Sequence, residues 1–166
     1  MRRSAAAILI ASLALGGCFG PDPNLTESGK GKPEVVIDFP AEVQRGSTHT
    51  ALVTVTNPGP GDIAGFSIEF SLVGKAGGQS LPTPLVEAGS QEASPSLGGI
   101  EPEPQAVSLE GLRFVFGALD EGESAEVSFE IVAPDQPGIA ANAVIVSDTE
   151  EIERSRGVRL VTEVTR

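Results

Sequence analysis

The 166-residue sequence has no tryptophan, no tyrosine, one cysteine and one histidine. Each shortage removes a class of function. With a single cysteine there is no internal disulfide, so the fold is held by apolar burial and backbone hydrogen bonding. The lone histidine, His49, excludes copper or zinc sites built on several imidazoles. A serine nucleophile would have only His49 as its base, and no Gly-x-Ser-x-Gly elbow occurs in the chain. All seven aromatic residues are phenylalanine, which disfavours a sugar-binding face. It also removes the Trp and Tyr anchors common at protein interfaces. Basic residues are few, 11 against 23 acidic ones, and the formal charge is −12. Such a surface repels phosphate backbones and anionic headgroups, so nucleic acid is not an expected partner.

What is present begins at the N-terminus. Arg2 and Arg3 precede an apolar run from Ala5 to Leu15, and Gly16 and Gly17 supply the small residues of a cleavage site. At about 1.5 Å per residue the run is too short to cross a hydrocarbon core of about 30 Å, so it reads as a leader. Leu15-Gly16-Gly17-Cys18 resembles the lipobox of bacterial lipoproteins. The resemblance implies cleavage before Cys18 and lipid on its thiol, in the manner of palmitoylated envelope lipoproteins. Two or more acyl chains anchor a protein stably where one does not. Residues 1–17 are then the signal peptide, and their loss takes the formal charge from −12 to −14. The expected location is a cell membrane or outer membrane, reached by export.

Residues 18–33 carry Cys18 and then Gly, Pro, Asn, Ser and Lys with no apolar period, the composition of a disordered tether. Asn24-Leu25-Thr26 matches a sequon. Gly29-Lys30-Gly31-Lys32 lacks the preceding strand and following helix of a phosphate loop.

Residues 34–166 show period-2 patterning. Val35, Ile37 and Phe39 open it. Ala51, Val53 and Val55 then share a face with His49, opposite Thr50, Leu52, Thr54 and Thr56. Phe66, Ile68, Phe70 and Leu72 alternate with Ser67, Glu69 and Ser71. From about 74 to 105 the pattern fails and a long loop is expected, with short strands near Leu85-Val86 able to interrupt it. Patterning returns at Ala106 to Leu109, Leu112 to Phe116, Ala125 to Ile131, Ile139 to Ser147 and Gly157 to Val164. No window after the leader has a 3.6-residue period. The expectation is an all-β, Ig-like antiparallel β-sandwich of seven to nine strands.

Val53-Thr54-Val55-Thr56-Asn57-Pro58-Gly59-Pro60 resembles the "TVTNxGP" strand and turn of conserved-repeat β-sandwich domains of prokaryotic surface proteins. Phe116-Gly117-Ala118-Leu119-Asp120-Glu121-Gly122-Glu123-Ser124 resembles their later "G-x-L-x-x-G-E-S" turn, and Ala141 to Asp148 the strand after it. The family's "LP" step after Leu72 is displaced or lost. Cohesin domains are a rival resemblance, through Gly46, Ile63-Ala64-Gly65-Phe66 and the Gly-rich loops, and imply a protein-docking face.

Catalytic residues are not expected. Weak calcium candidates are the acidic turns Asp120, Glu121 and Glu123, and Asp148, Glu150 and Glu151, since hard cations take oxygen ligands from loops. Neither turn has the alternating spacing of a known calcium loop. No other cofactor is expected. The functional expectation is a membrane-anchored, non-catalytic envelope lipoprotein that contacts other envelope proteins, the first contact surface to consider being the 74–105 stretch. The alternative is a small-ligand or calcium-binding accessory module.

Overall fold

The chain is described here by a computed structural model covering residues 31–74, 81–87, 96–108 and 112–166. The expected signal peptide, Cys18 and all but the last residues of the expected tether lie outside these. Alternating apolar residues give a strand one wet and one dry face, and two such sheets satisfy each other by closing dry face on dry face. Ten strands do so among the described residues, with no helix.

One sheet has four strands in the order β1 (Glu34–Asp38), β3 (Thr48–Thr56), β8 (Ser124–Val132), β5 (Leu97–Glu101). The other has six, in the order β2 (Glu42–Gln44), β10 (Ser155–Thr165), β9 (Gly138–Asp148), β4 (Phe66–Leu72), β7 (Arg113–Val115), β6 (Ala106–Ser108). All pairings are antiparallel except that of β2 with β10. The all-β sandwich expected from the patterning is the observed architecture. It has ten strands rather than seven to nine because short strands form outside the patterned runs: β2 beyond Pro40 at one sheet edge and β5 within the expected loop.

The passage from β1 to β2 is a change of sheet. β1 pairs with β3, Glu34 opposite Thr56, and the chain then crosses at Phe39-Pro40-Ala41 so that β2 lies beside the end of β10. Pro40, which has no N–H to offer a ladder, sits where neither ladder needs one. Its carbonyl accepts from Thr162 Oγ1 at 2.8 Å, and the Ala41 carbonyl accepts from Glu163 N at 2.9 Å.

The core lies between the sheets. Ala51, Val53, Val55, Val127, Phe129 and Ile131 come from one side and Phe66, Ile68, Phe70, Phe114, Val144, Val146 and Leu160 from the other. Phe70, Phe114 and Phe129 meet at its centre, with ring centroids 5.1 to 6.4 Å apart and steeply inclined planes, a favourable disposition of their quadrupoles. Leu72, expected on the same inward face as Phe70, is 69% exposed because β4 runs beyond the core there.

The 74–105 stretch is less of a loop than its composition suggests. Leu97–Glu101 is edge strand β5 on β8. Thr83 bridges to Ala140, and Leu85 and Val86 are buried. Asn142, wholly buried in β9, fixes this segment. Its Oδ1 accepts from Leu85 N and Val86 N at 2.8 and 2.9 Å, and its Nδ2 donates to the Ser71 and Val86 carbonyls. The same side chain thereby satisfies three backbone groups of the Leu85-Val86 segment, which lies outside the strands, and ties it to the Ser71 carbonyl of β4.

Candidate functional site

Two of the three segments that carry the surface-repeat resemblance, Val53 to Pro60 and Phe116 to Ser124, meet at one pole of the sandwich. Asn57, fully buried after β3, donates from Nδ2 to the Gly61 and Leu119 carbonyls, each at 3.0 Å, and accepts from Gly59 N at 3.1 Å. Its backbone is held as well: Asn57 N donates to Glu123 O and Gly122 N to Asn57 O. Gly59 has φ +76°, and a Cβ there would lie 2.7 Å from the Glu121 side chain. Only glycine fits a position both left-handed and this crowded. Asn57 and Gly59 therefore read as structural residues of a junction between the 57–62 and 119–123 turns.

The calcium candidates are at this pole, and the Glu121, Glu123 and Asp148 carboxylates are occupied in holding turns. Glu121 Oε2 accepts from Gly61 N at 3.2 Å while Glu121 N donates to Asp62 Oδ1. Glu123 Oε2 accepts from Asp120 N at 2.9 Å. Asp148, 3% exposed in its side chain, accepts from Glu150 N and Glu151 N through Oδ1 and pairs through Oδ2 with Arg154 Nη1 at 3.3 Å. Among the described residues no three Asp, Glu, His or Cys side chains come together.

Arg154, which the sequence did not single out, joins several segments. Besides Asp148 it donates to the Asp62 carbonyl and from Nε, at 2.6 Å, to the Gly31 carbonyl. The incoming N-terminal segment is thus gripped where it reaches the domain. Two residues on, Arg156 has Nε and Nη2 buried with no hydrogen-bond partner among the described residues.

At the opposite pole lies an open cleft of about 390 Å³ lined by Glu42, Val43, Gln44, Ser47, His49 and Thr165. Here the only histidine meets a serine, Ser47 Oγ standing 2.8 Å from His49 Nε2. Distance alone suggests a nucleophile and its base. The proton positions argue otherwise. Ser47 Oγ also lies within bonding distance of the Gln44 carbonyl, which can only accept, so the single hydroxyl proton points there. With the hydroxyl proton on that carbonyl, Nε2 is the donor to Oγ, and a protonated Nε2 does not withdraw the serine proton. Phe39 packs edge-on against the His49 ring, centroids 6.2 Å apart. The arrangement orders the β2–β3 turn.

A second cleft, of about 280 Å³, opens on the flank where the chain passes from β5 to β6. Phe66, Pro102, Phe116, Gly117, Ala118, Leu119 and Ala125 line it with Glu103, Gln105 and Glu123. Phe66 and Phe116 form its floor, stacked with centroids 5.2 Å apart and planes 23° from parallel. Sequence reasoning assigned both rings to the core, where they are indeed buried. That their edges also floor a hollow depends on the 102–105 crossover, which has no periodic signal.

No protein-family model matches the chain, and no curated protein matches it. Among solved structures it is similar to PapD-like domain 7 of human CEP192, at 12% identity over 99% of each chain with a TM-score of 0.43. It is similar to the human F-spondin reeler domain at 13% identity, covering 82% of this chain and 95% of that one, with a TM-score of 0.46. A family 123 glycoside hydrolase from Clostridium perfringens gives 14% identity over 75% of this chain and 22% of its own, with a TM-score of 0.46. Likeness at this level assigns no activity to the chain.

Proposed function

We propose that the protein is a lipid-anchored envelope lipoprotein whose β-sandwich is a non-catalytic module contacting other envelope proteins. The observation that carries the reading is Cys18, the only cysteine, placed after Leu15-Gly16-Gly17 at the end of an apolar run headed by two arginines. An exported chain with one unpaired thiol asks for a chemical use of it, and acylation is that use. The domain adds two supports. Arg154 holds the Gly31 carbonyl, so the chain enters the domain at the Asn57 pole, which supports an anchor on that side. The Ser47–His49 pair has its protons disposed against nucleophilic attack, and the acidic turns are engaged in capping.

The test has two readouts. Growth with a palmitate analogue labels the wild-type chain, and Cys18→Ser abolishes the label; equal labelling of the variant defeats the anchor. Cross-linking in the native envelope followed by mass spectrometry recovers a reproducible set of partners. A chain that cross-links only to itself and to abundant bystanders defeats the contact role.

A further inference from the structure

The flank cleft sets an apolar floor beneath acidic rim groups with no cation lining it. Its volume of about 280 Å³ decides the size of its occupant. Small-molecule sites run from roughly 300 to 1,000 Å³ and enclose most of their ligand. This one is at the foot of that range and is open, so it suits a single protruding side chain. Chemistry decides which. The lining offers Phe66 and Phe116 with Leu119, Ala125 and Pro102, a surface for a methylene stem. The rim offers two carboxylates. Glu103 makes no hydrogen bond or ion pair among the described residues, and Glu123 spends only Oε2 on the Asp120 amide. Lysine joins an apolar stem to a cationic head over about the right length. The chain's charge of −12 draws such a group from a distance and repels an acidic competitor.

Building on the protein-contact reading, we propose that the cleft between the 102–105 crossover and the 116–119 segment receives a lysine side chain displayed by a partner protein. The stem lies along the Phe66–Phe116 floor and the ammonium is shared by Glu103 and Glu123. Rim ion pairs are individually weak, so one lysine supplies selectivity and a steered encounter while the partner's surrounding surface supplies the rest.

The experiment is a titration of the intact, isotope-labelled chain in detergent micelles, followed through its backbone amide signals. The probes are Nα-acetyl-lysine methylamide and its norleucine counterpart, which keeps the stem and loses the charge. The lysine probe is expected to move the amides of Gln105, Gly117, Ala118 and Leu119, with a midpoint roughly fivefold lower than norleucine. In Glu103→Gln/Glu123→Gln that preference disappears while the rest of the spectrum stays in place, because the glutamine carbonyl at 123 can still accept from Asp120 N. Equal midpoints for the two probes overturn the proposal. So do shifts confined to other surfaces, an absence of shifts, or a preference that survives the double variant. The cross-linking result is independent of all four outcomes, so the site and the contact reading fall separately.

Discussion

The side-chain amide of Asn57 stands 3.0 Å from the carbonyl of Leu119, 62 residues further along the chain, and this bond ties the end of β3 to the turn before β8. Removing it by Asn57→Ala strands the buried Gly59 amide and takes one donor each from the Gly61 carbonyl and from the Leu119 carbonyl, which keeps its bond from Ile63 N. The expected loss is about 2 kcal/mol, since an unsatisfied buried polar group costs roughly 1–3 kcal/mol. Urea denaturation measures it, as a lower midpoint with an unchanged slope. A loss under about 0.5 kcal/mol means that the junction is held by other contacts.

Asn142 offers a sharper local test. Asn142→Leu keeps the volume and leaves the amides of Leu85 and Val86 without their acceptor. Hydrogen exchange of those two amides is expected to accelerate by at least about tenfold more than exchange in the β3–β8 ladder, because the segment opens locally. Uniform acceleration across the domain points instead to global destabilisation.

Arg156 predicts a gain. Arg156 is half-buried, and its Nε and Nη2 are buried without partners among the described residues, so part of the guanidinium has lost water with no hydrogen bond in exchange. Arg156→Met keeps most of the stem and removes the guanidinium, so stability is expected to rise by about 1 kcal/mol, or a few degrees in Tm. A fall in Tm means that the guanidinium is satisfied in solution.

At the Ser47–His49 pair the expectation is chemical silence. A fluorophosphonate probe leaves Ser47 unmodified, as read by peptide mass spectrometry, because the hydroxyl proton is committed to the Gln44 carbonyl. A stoichiometric adduct at Ser47 reverses the assignment of donor and acceptor and reopens hydrolysis.

Much of the sandwich was legible because alternation is a local signal. Ala51-Val53-Val55 and Val127-Phe129-Ile131 each declare a dry face without reference to the rest of the chain, and both are buried as read. β5 was not legible: Leu97-Gly98-Gly99-Ile100-Glu101 has no clean alternation, and it is a strand because β8 offers it an edge. The anchoring of Leu85-Val86 depends on Asn142, a polar residue at a core position, where propensity gives no warning and only the neighbouring backbone explains it. The TVTN and GES turns could be noticed one by one, but their contact is a property of the closed fold. Arg154 had no pattern around it at all. Its role comes from three segments, at Gly31, Asp62 and Asp148, arriving at the same pole.

The sheet change at Pro40 also sets how the domain bears load. Glu34 begins β1 beside Thr56 at one pole, whereas Thr165 ends β10 beside Gln44 at the other. Tension between the two ends of the chain therefore runs along the strand axes. It shears the β1–β3 and β2–β10 ladders, straining all the rungs of each together instead of peeling them one after another. With the crossover joining one loaded ladder to each sheet, a rupture at β1 passes the force to β2, and the sandwich resists being drawn out in two successive stages.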